Sequence, residues 1–111
     1  MRAGGPCAQL VRNSYAGTSR GLLFSFLARR GFNVVTLDGR GSQGRGSLFE
    51  GAIKHRVGTI EVDDQVEGLE HLIRQGTYRI DPTRIGVYGH SYGGYMSLMC
   101  IVSSTCAGSS A

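Results

Sequence analysis

The sequence predicts an α/β fold, a mostly parallel sheet with flanking helices. Three observations predict it. Helix-periodic segments alternate with short apolar runs rich in β-branched residues, in the order helix, strand, helix, strand, helix. Gly89-His90-Ser91-Tyr92-Gly93 spells Gly-x-Ser-x-Gly. The motif stands between the last predicted strand and the last predicted helix, the setting in which it forms a sharp turn presenting a serine.

Each element has a local reason. Thr18 to Arg30 reads as a helix: Leu22, Leu23, Phe26 and Leu27 share one face, Arg29 and Arg30 fill the last turn, and Gly31 follows as a C-cap. Phe32-Asn33-Val34-Val35-Thr36-Leu37 is apolar and β-branched and predicts a buried strand, ended by Asp38-Gly39. A short helical turn is expected within Glu50 to Arg56. Ile60 to Gln75 is the clearest helix, since Val62, Val66, Leu69 and Ile73 form one apolar stripe. Glu61, Asp63 and Asp64 crowd its start and Arg74 its end, the charge order that suits a helix dipole. These carboxylates therefore read as helix-start charges rather than acid/base groups, and His71 as a surface residue. Asp81-Pro82-Thr83 turns the chain into the strand Arg84 to Tyr88. Tyr92 to Val102 is apolar nearly all round and is expected to be a buried helix. Ser103 to Ala111 is small and polar and is expected to be disordered.

Composition narrows the function classes. The chain has 111 residues, one small domain. Residues 1–56 carry nine Lys/Arg against two Asp/Glu, and residues 57–111 carry three against six. The arginines of the basic half are scattered and not interleaved with aromatics, which reads as solvated surface rather than a nucleic-acid footprint. Cys7, Cys100 and Cys106 form no metal-binding spacing, so no cofactor or metal is expected; an odd count suggests reduced thiols and a cytoplasmic setting. The start of the chain has no signal-peptide core, and no apolar run approaches the ~20 residues that span a bilayer.

Gly39-Arg40-Gly41-Ser42-Gln43-Gly44 also spells Gly-x-Gly-x-x-Gly after a predicted strand. Asp38 would set a carboxylate beside any phosphates, no clean helical stripe follows, and Glu61 and Asp63 fall in a helix rather than at a strand end. A glycine-rich connection over the sheet is the better account.

The chemistry concentrates at Ser91. A serine on so tight a turn takes a strained backbone, and its hydroxyl stands clear of the sheet. Side chains at the flanking positions would collide with neighbouring backbone, which calls for Gly89 and Gly93. The N–H of Tyr92, at the helix start, has no intrahelical partner and is available to an oxyanion. Ser91 is the candidate nucleophile and Tyr92 the candidate oxyanion donor.

Leu37-Asp38-Gly39-Arg40-Gly41-Ser42, Phe49-Glu50-Gly51-Ala52, Gly58-Thr59-Ile60-Glu61-Val62-Asp63-Asp64-Gln65-Val66-Glu67-Gly68-Leu69 and Gly89-His90-Ser91-Tyr92-Gly93-Gly94-Tyr95 occur in the order and spacing of the prolyl oligopeptidase family. Over about residues 3–100 the chain resembles that family's dipeptidyl peptidase branch, and within it the cytosolic members. The resemblance implies a partial α/β-hydrolase catalytic domain over residues 3–102. Full-length members pair it with an N-terminal β-propeller and offer homodimerisation as an option. It implies serine peptidase activity on peptide substrates near proline, Ser91 as nucleophile, and Tyr92 and Tyr95 at the border of the proline pocket. Two positions depart from the branch: its second oxyanion donor, a tyrosine hydroxyl, falls at Ala3, and His90 stands where a tryptophan is common.

The hydrolase chain order places the triad acid and then the histidine after the serine. No Asp, Glu or His follows Ser91 in this chain. Its 111 residues are about half the ~200–250 that such single domains run to. A fragment with an open apolar sheet edge, marginal in stability and weak or inactive alone, is the expectation.

Overall fold

The computed structural model describes residue 1, residues 6–13 and residues 19–107. Four helices form: α1 Ser19–Arg29, α2 Ser47–Gly51, α3 Ile60–Gln75 and α4 Tyr92–Ala107. α1 and α3 fall where periodicity places them. The Gly76 N–H closes α3 on the Ile73 carbonyl, with Arg74 in the last turn. α2 starts three residues before the expected turn. α4 runs to Ala107, so residues 103–107 are helical where disorder was expected, and residues 108–111 lie outside the described residues.

The expected parallel sheet does not appear. Among the described residues no strand forms; only isolated bridge residues stand at Thr36 and Tyr88. A ladder needs two segments exchanging bonds over several residues. Here the backbone near the last predicted strand is used elsewhere: the Met1 amino group donates to the Gly86 carbonyl at 2.5 Å, and the Tyr88 N–H donates to the Met1 carbonyl at 2.8 Å.

The core lies between α3 and α4, the helix pair in contact among the described residues. Val62 from α3 and Met96 and Cys100 from α4 are buried, with Met1, Tyr92 and Met99 packed against them. Val62 and Met96, the two fully buried, each contribute about 1.5–3 kcal/mol. This core is thin. Leu98, Ile101 and Val102 on α4 are exposed, contrary to the fully buried helix expected, and so are Leu22 and Phe26 on α1. The apolar pattern stated what these helices can bury; only α3 covers α4, and no helix covers α1 among the described residues. A cleft of about 560 Å³ opens between α1 and residues 79–88, lined by Phe24, Leu27, Phe32, Val35, Ile85 and Val87. The radius of gyration, 14.3 Å, exceeds the roughly 13 Å of a compact chain this long.

The glycine-rich connection is tied down by polar contacts. The Asp38 carboxylate accepts from the N–H groups of Leu10 and Val11 at 2.8–3.1 Å. Asp64 of α3 accepts from the Arg40 N–H at 2.7 Å and from its guanidinium at 2.5–3.0 Å. No helix opens at Gly44; residues 43–45 bend and α2 begins at Ser47. A dinucleotide fingerprint needs its last glycine at the opening of a long helix, and this loop lacks that.

Candidate active site

Ser91 sits on the turn directly before α4 and has φ +57°, a left-handed backbone that a residue with a Cβ adopts at a cost of about 1–3 kcal/mol. It is exposed. The strained turn inferred from the motif is therefore present. Its tightness comes from Gly89. A Cβ there would lie 2.0 Å from the Gly93 carbonyl oxygen and 2.2 Å from the Gly93 carbonyl carbon. The two glycines flanking the serine thus bring their backbones into contact across the turn. Gly93 is buried. Gly94 is under less constraint, because a Cβ there would meet only the Gly89 carbonyl oxygen at 3.7 Å.

The turn hands over to α4 through its own carbonyls. The Gly93 N–H donates to His90, and the Gly94 and Tyr95 N–H groups donate to Ser91. Tyr92 is the first residue of α4, a position for which a helix provides no internal acceptor. Its N–H and the Ser91 hydroxyl are consecutive along the chain, the arrangement that lets one group attack a carbonyl while the other takes the developing charge. His90 is exposed. Ala3 lies outside the described residues.

Behind the turn is a polar cluster that the sequence did not reveal. Glu61, on the first turn of α3, is 5% exposed. Its Oε1 accepts from the Tyr92 hydroxyl and from the Gly58 N–H, both at 2.5 Å. The Tyr92 ring leans on Tyr95, centroids 5.4 Å apart and planes at 51°. Burial pushes the Tyr92 phenol up, and the neighbouring Glu61 carboxylate pushes it further, well above the ordinary tyrosine value. Burial also pushes the Glu61 carboxyl up, but donation from the Tyr92 hydroxyl and the Gly58 N–H, with the N–H groups of Glu61 and Thr59 nearby, outweighs it, and the net direction is down. Asp64 follows the same logic: burial raises it, the Arg40 hydrogen bonds and charge lower it, and the result lies below the usual range. Glu61 is thus a helix-start charge, as its position suggested, and also the partner of Tyr92, the residue that follows Ser91. Nothing local could have signalled that second role.

Both depressed carboxyls set the direction of acid sensitivity. Between the folded and unfolded values the unfolded chain binds protons that the folded chain does not, so acid favours unfolding. The contribution is intact above the ordinary carboxylate range and is lost as pH falls through the folded values. Far-UV circular dichroism of the chain is expected to hold steady down to about pH 5 and to decline below it. A helical signal unchanged at pH 2 would contradict this assignment.

Among the described residues, no group of His, Cys, Asp and Glu is placed to hold a metal ion, and no helix is long and apolar enough to cross a membrane. Comparison with known proteins bears on the turn directly. Residues 18–106 match the model of the prolyl oligopeptidase family. The chain is 50% identical over 99 residues to dipeptidyl peptidase 8 of Mus musculus and equally to that of Homo sapiens, covering 89% of this chain and 11% of each relative. It is 37% identical over 103 residues to prolyl endopeptidase FAP of Bos taurus, covering 92% of this chain and 13% of the relative. The chain thus spans about a tenth of the length of these relatives. The match runs through the glycine-flanked turn and the helices on either side of it, and it agrees with the resemblance read from the motifs: the chain belongs to the prolyl oligopeptidase family, whose fold class is the α/β hydrolase.

Proposed function

We propose that residues 3–102 are the nucleophile-bearing part of a serine peptidase catalytic domain that acts on peptides near proline, in the manner of a dipeptidyl peptidase. One observation carries the reading: an exposed serine held at φ +57° directly before a helix, on a turn whose preceding glycine admits no Cβ. In the reaction the Ser91 Oγ attacks the scissile carbonyl carbon and its proton passes to a base. The carbonyl oxygen becomes an oxyanion, to which the Tyr92 N–H donates. Collapse of that adduct expels the amine, which takes the proton from the base, and leaves an ester on Ser91; water then releases the acid. No Asp, Glu or His follows Ser91, so the base and the group that orients it come from outside these 111 residues. The substrate is a peptide, and no cofactor enters. The free thiols of Cys7 and Cys100 suit a reducing, cytoplasmic setting. Homodimerisation belongs to this reading only for a full-length parent.

A second reading is an inactive remnant of such a peptidase that binds partners. A two-part assay separates them. The 111-residue chain alone is expected to release no more fluorophore from a Xaa-Pro substrate than its Ser91→Ala variant, because loss of the triad histidine alone costs ~10⁶ in turnover in subtilisin. Full-length mouse dipeptidyl peptidase 8 carrying this segment in place of its own is expected to turn the substrate over and to be labelled by a fluorophosphonate at Ser91. A folded chimaera that neither turns over substrate nor labels would leave the remnant reading. Activity that survives Ser91→Ala would remove Ser91 as nucleophile.

A further inference from the structure

We infer that Glu61 is a positioning residue for the nucleophile turn: by holding the Tyr92 hydroxyl it fixes the side chain, and through it the backbone, whose N–H faces the oxyanion. The inference rests on the peptidase reading of Ser91 and adds a residue to it. Glu61 is 30 residues from the turn in sequence and lies on another helix, yet its Oε1 joins Tyr92 to Gly58. Gly58 is itself fixed from the other side. It has φ +88°, and a Cβ there would lie 2.2 Å from the Tyr95 hydroxyl, so this backbone passes directly beneath the second tyrosine of α4. One carboxylate oxygen therefore ties the loop before α3 to the first residue of α4, and the Tyr95 ring closes the cluster against Tyr92.

Tyr92 is the residue whose N–H the chemistry uses, and its ring is otherwise only half-buried. A half-buried ring free to change rotamer would carry its backbone with it, and displacements of about 1 Å from catalytic geometry cost on the order of 10²-fold in rate. The other carboxylate oxygen, Oε2, is buried without a partner, as is Gln65 Oε1; both residues line one small cavity of about 20 Å³. An acid left half-satisfied at this depth is costly to keep. Retaining it makes sense where its bonded oxygen has a task.

The test uses the chimaeric peptidase, with concentrations set by active-site titration so that misfolded enzyme does not count. Tyr92→Phe keeps the ring and removes the bond; Glu61→Leu removes the acceptor; Glu61→Gln keeps one. Tyr92→Phe and Glu61→Leu are each expected to lower kcat by ~10–100-fold, at or below the ~10²–10³-fold cost of removing an oxyanion donor outright, with KM within about twofold. The double variant should be no slower than either single one, because both break the same link. Glu61→Gln should recover most of that loss. Unchanged kcat in Tyr92→Phe, or fully additive losses, would overturn the inference while leaving Ser91 untouched; activity independent of Ser91 would instead remove the reading beneath it. Hydrogen exchange on the 111-residue chain is an independent arm. Tyr92→Phe should accelerate the Gly58 amide at least ~10-fold relative to the Gly76 amide at the far end of α3, and equal rates would count against the link.

Discussion

Replacing Gly89 with alanine is expected to abolish the folded state of the chain. The added Cβ would lie 2.0 Å from the Gly93 carbonyl oxygen, 2.2 Å from its carbon and 2.8 Å from its Cα. All three are backbone atoms, so no rotamer change relieves the clash; the first turn of α4 must move. That turn holds Tyr92 against the α3–α4 core, and Met96 and Cys100 follow on the same helix. Displacing it opens the one buried apolar cluster among the described residues. The cost should exceed about 4 kcal/mol, the exceptional end of single-substitution effects, and a core this thin has no comparable reserve. Gly94→Ala is the matched control. Its Cβ would meet nothing nearer than 3.7 Å, and alanine in a helix interior is favoured over glycine by about 1 kcal/mol. Thermal melts by circular dichroism should therefore move in opposite directions for two glycines five residues apart. A Gly89→Ala chain that melts like the parent would mean that the Gly89 and Gly93 backbones are not held in contact across the turn.

The contrast between those two glycines also marks how far the sequence could be read. Gly89 was legible because its reason is local: a serine on a tight turn demands a small residue beside it. α3 was legible for the same kind of reason, since its apolar stripe, acidic start and Gly76 all lie within one segment. The sheet was not. Phe32 to Leu37 has strand composition, but composition cannot name a pairing partner, and the donors and acceptors around Gly86 and Tyr88 turn to Met1, 85 residues from Gly86 in sequence. The burial of α4 was overestimated because an all-apolar helix states a need for cover, and cover is supplied by other elements. Glu61 shows the complementary failure. Its position at a helix start explained it so fully that no residue of the pattern asked for more, while its contact with Tyr92 joins segments 31 residues apart. Motif spacing marked Ser91 as the candidate nucleophile; the link from its neighbour Tyr92 to Glu61 is visible only once two helices are placed side by side.

Ser91 should separate chemistry from stability. In the chimaeric peptidase Ser91→Ala and Ser91→Gly are both expected to lose ~10³–10⁶ in kcat, since neither leaves an oxygen to acylate. Their stabilities should differ. Alanine keeps a Cβ at φ +57° and so keeps the strain; its melt should stay within about 0.5 kcal/mol of the parent. Glycine adopts that conformation without the Cβ penalty of about 1–2 kcal/mol, and part of this gain survives the extra freedom it adds to the unfolded chain. The glycine variant should therefore melt higher than both serine and alanine while being as inactive as alanine. A turn with an ordinary negative φ would show no such pattern. Cys7, His55 and Arg79 share the left-handed φ, so strain alone does not mark function; Ser91 is set apart by its place directly before α4, between Gly89 and Gly93. Equal melts for glycine and serine would indicate a relaxed turn, and the argument that presentation of the hydroxyl is held in place by strain would fail even if the enzyme acylates at Ser91.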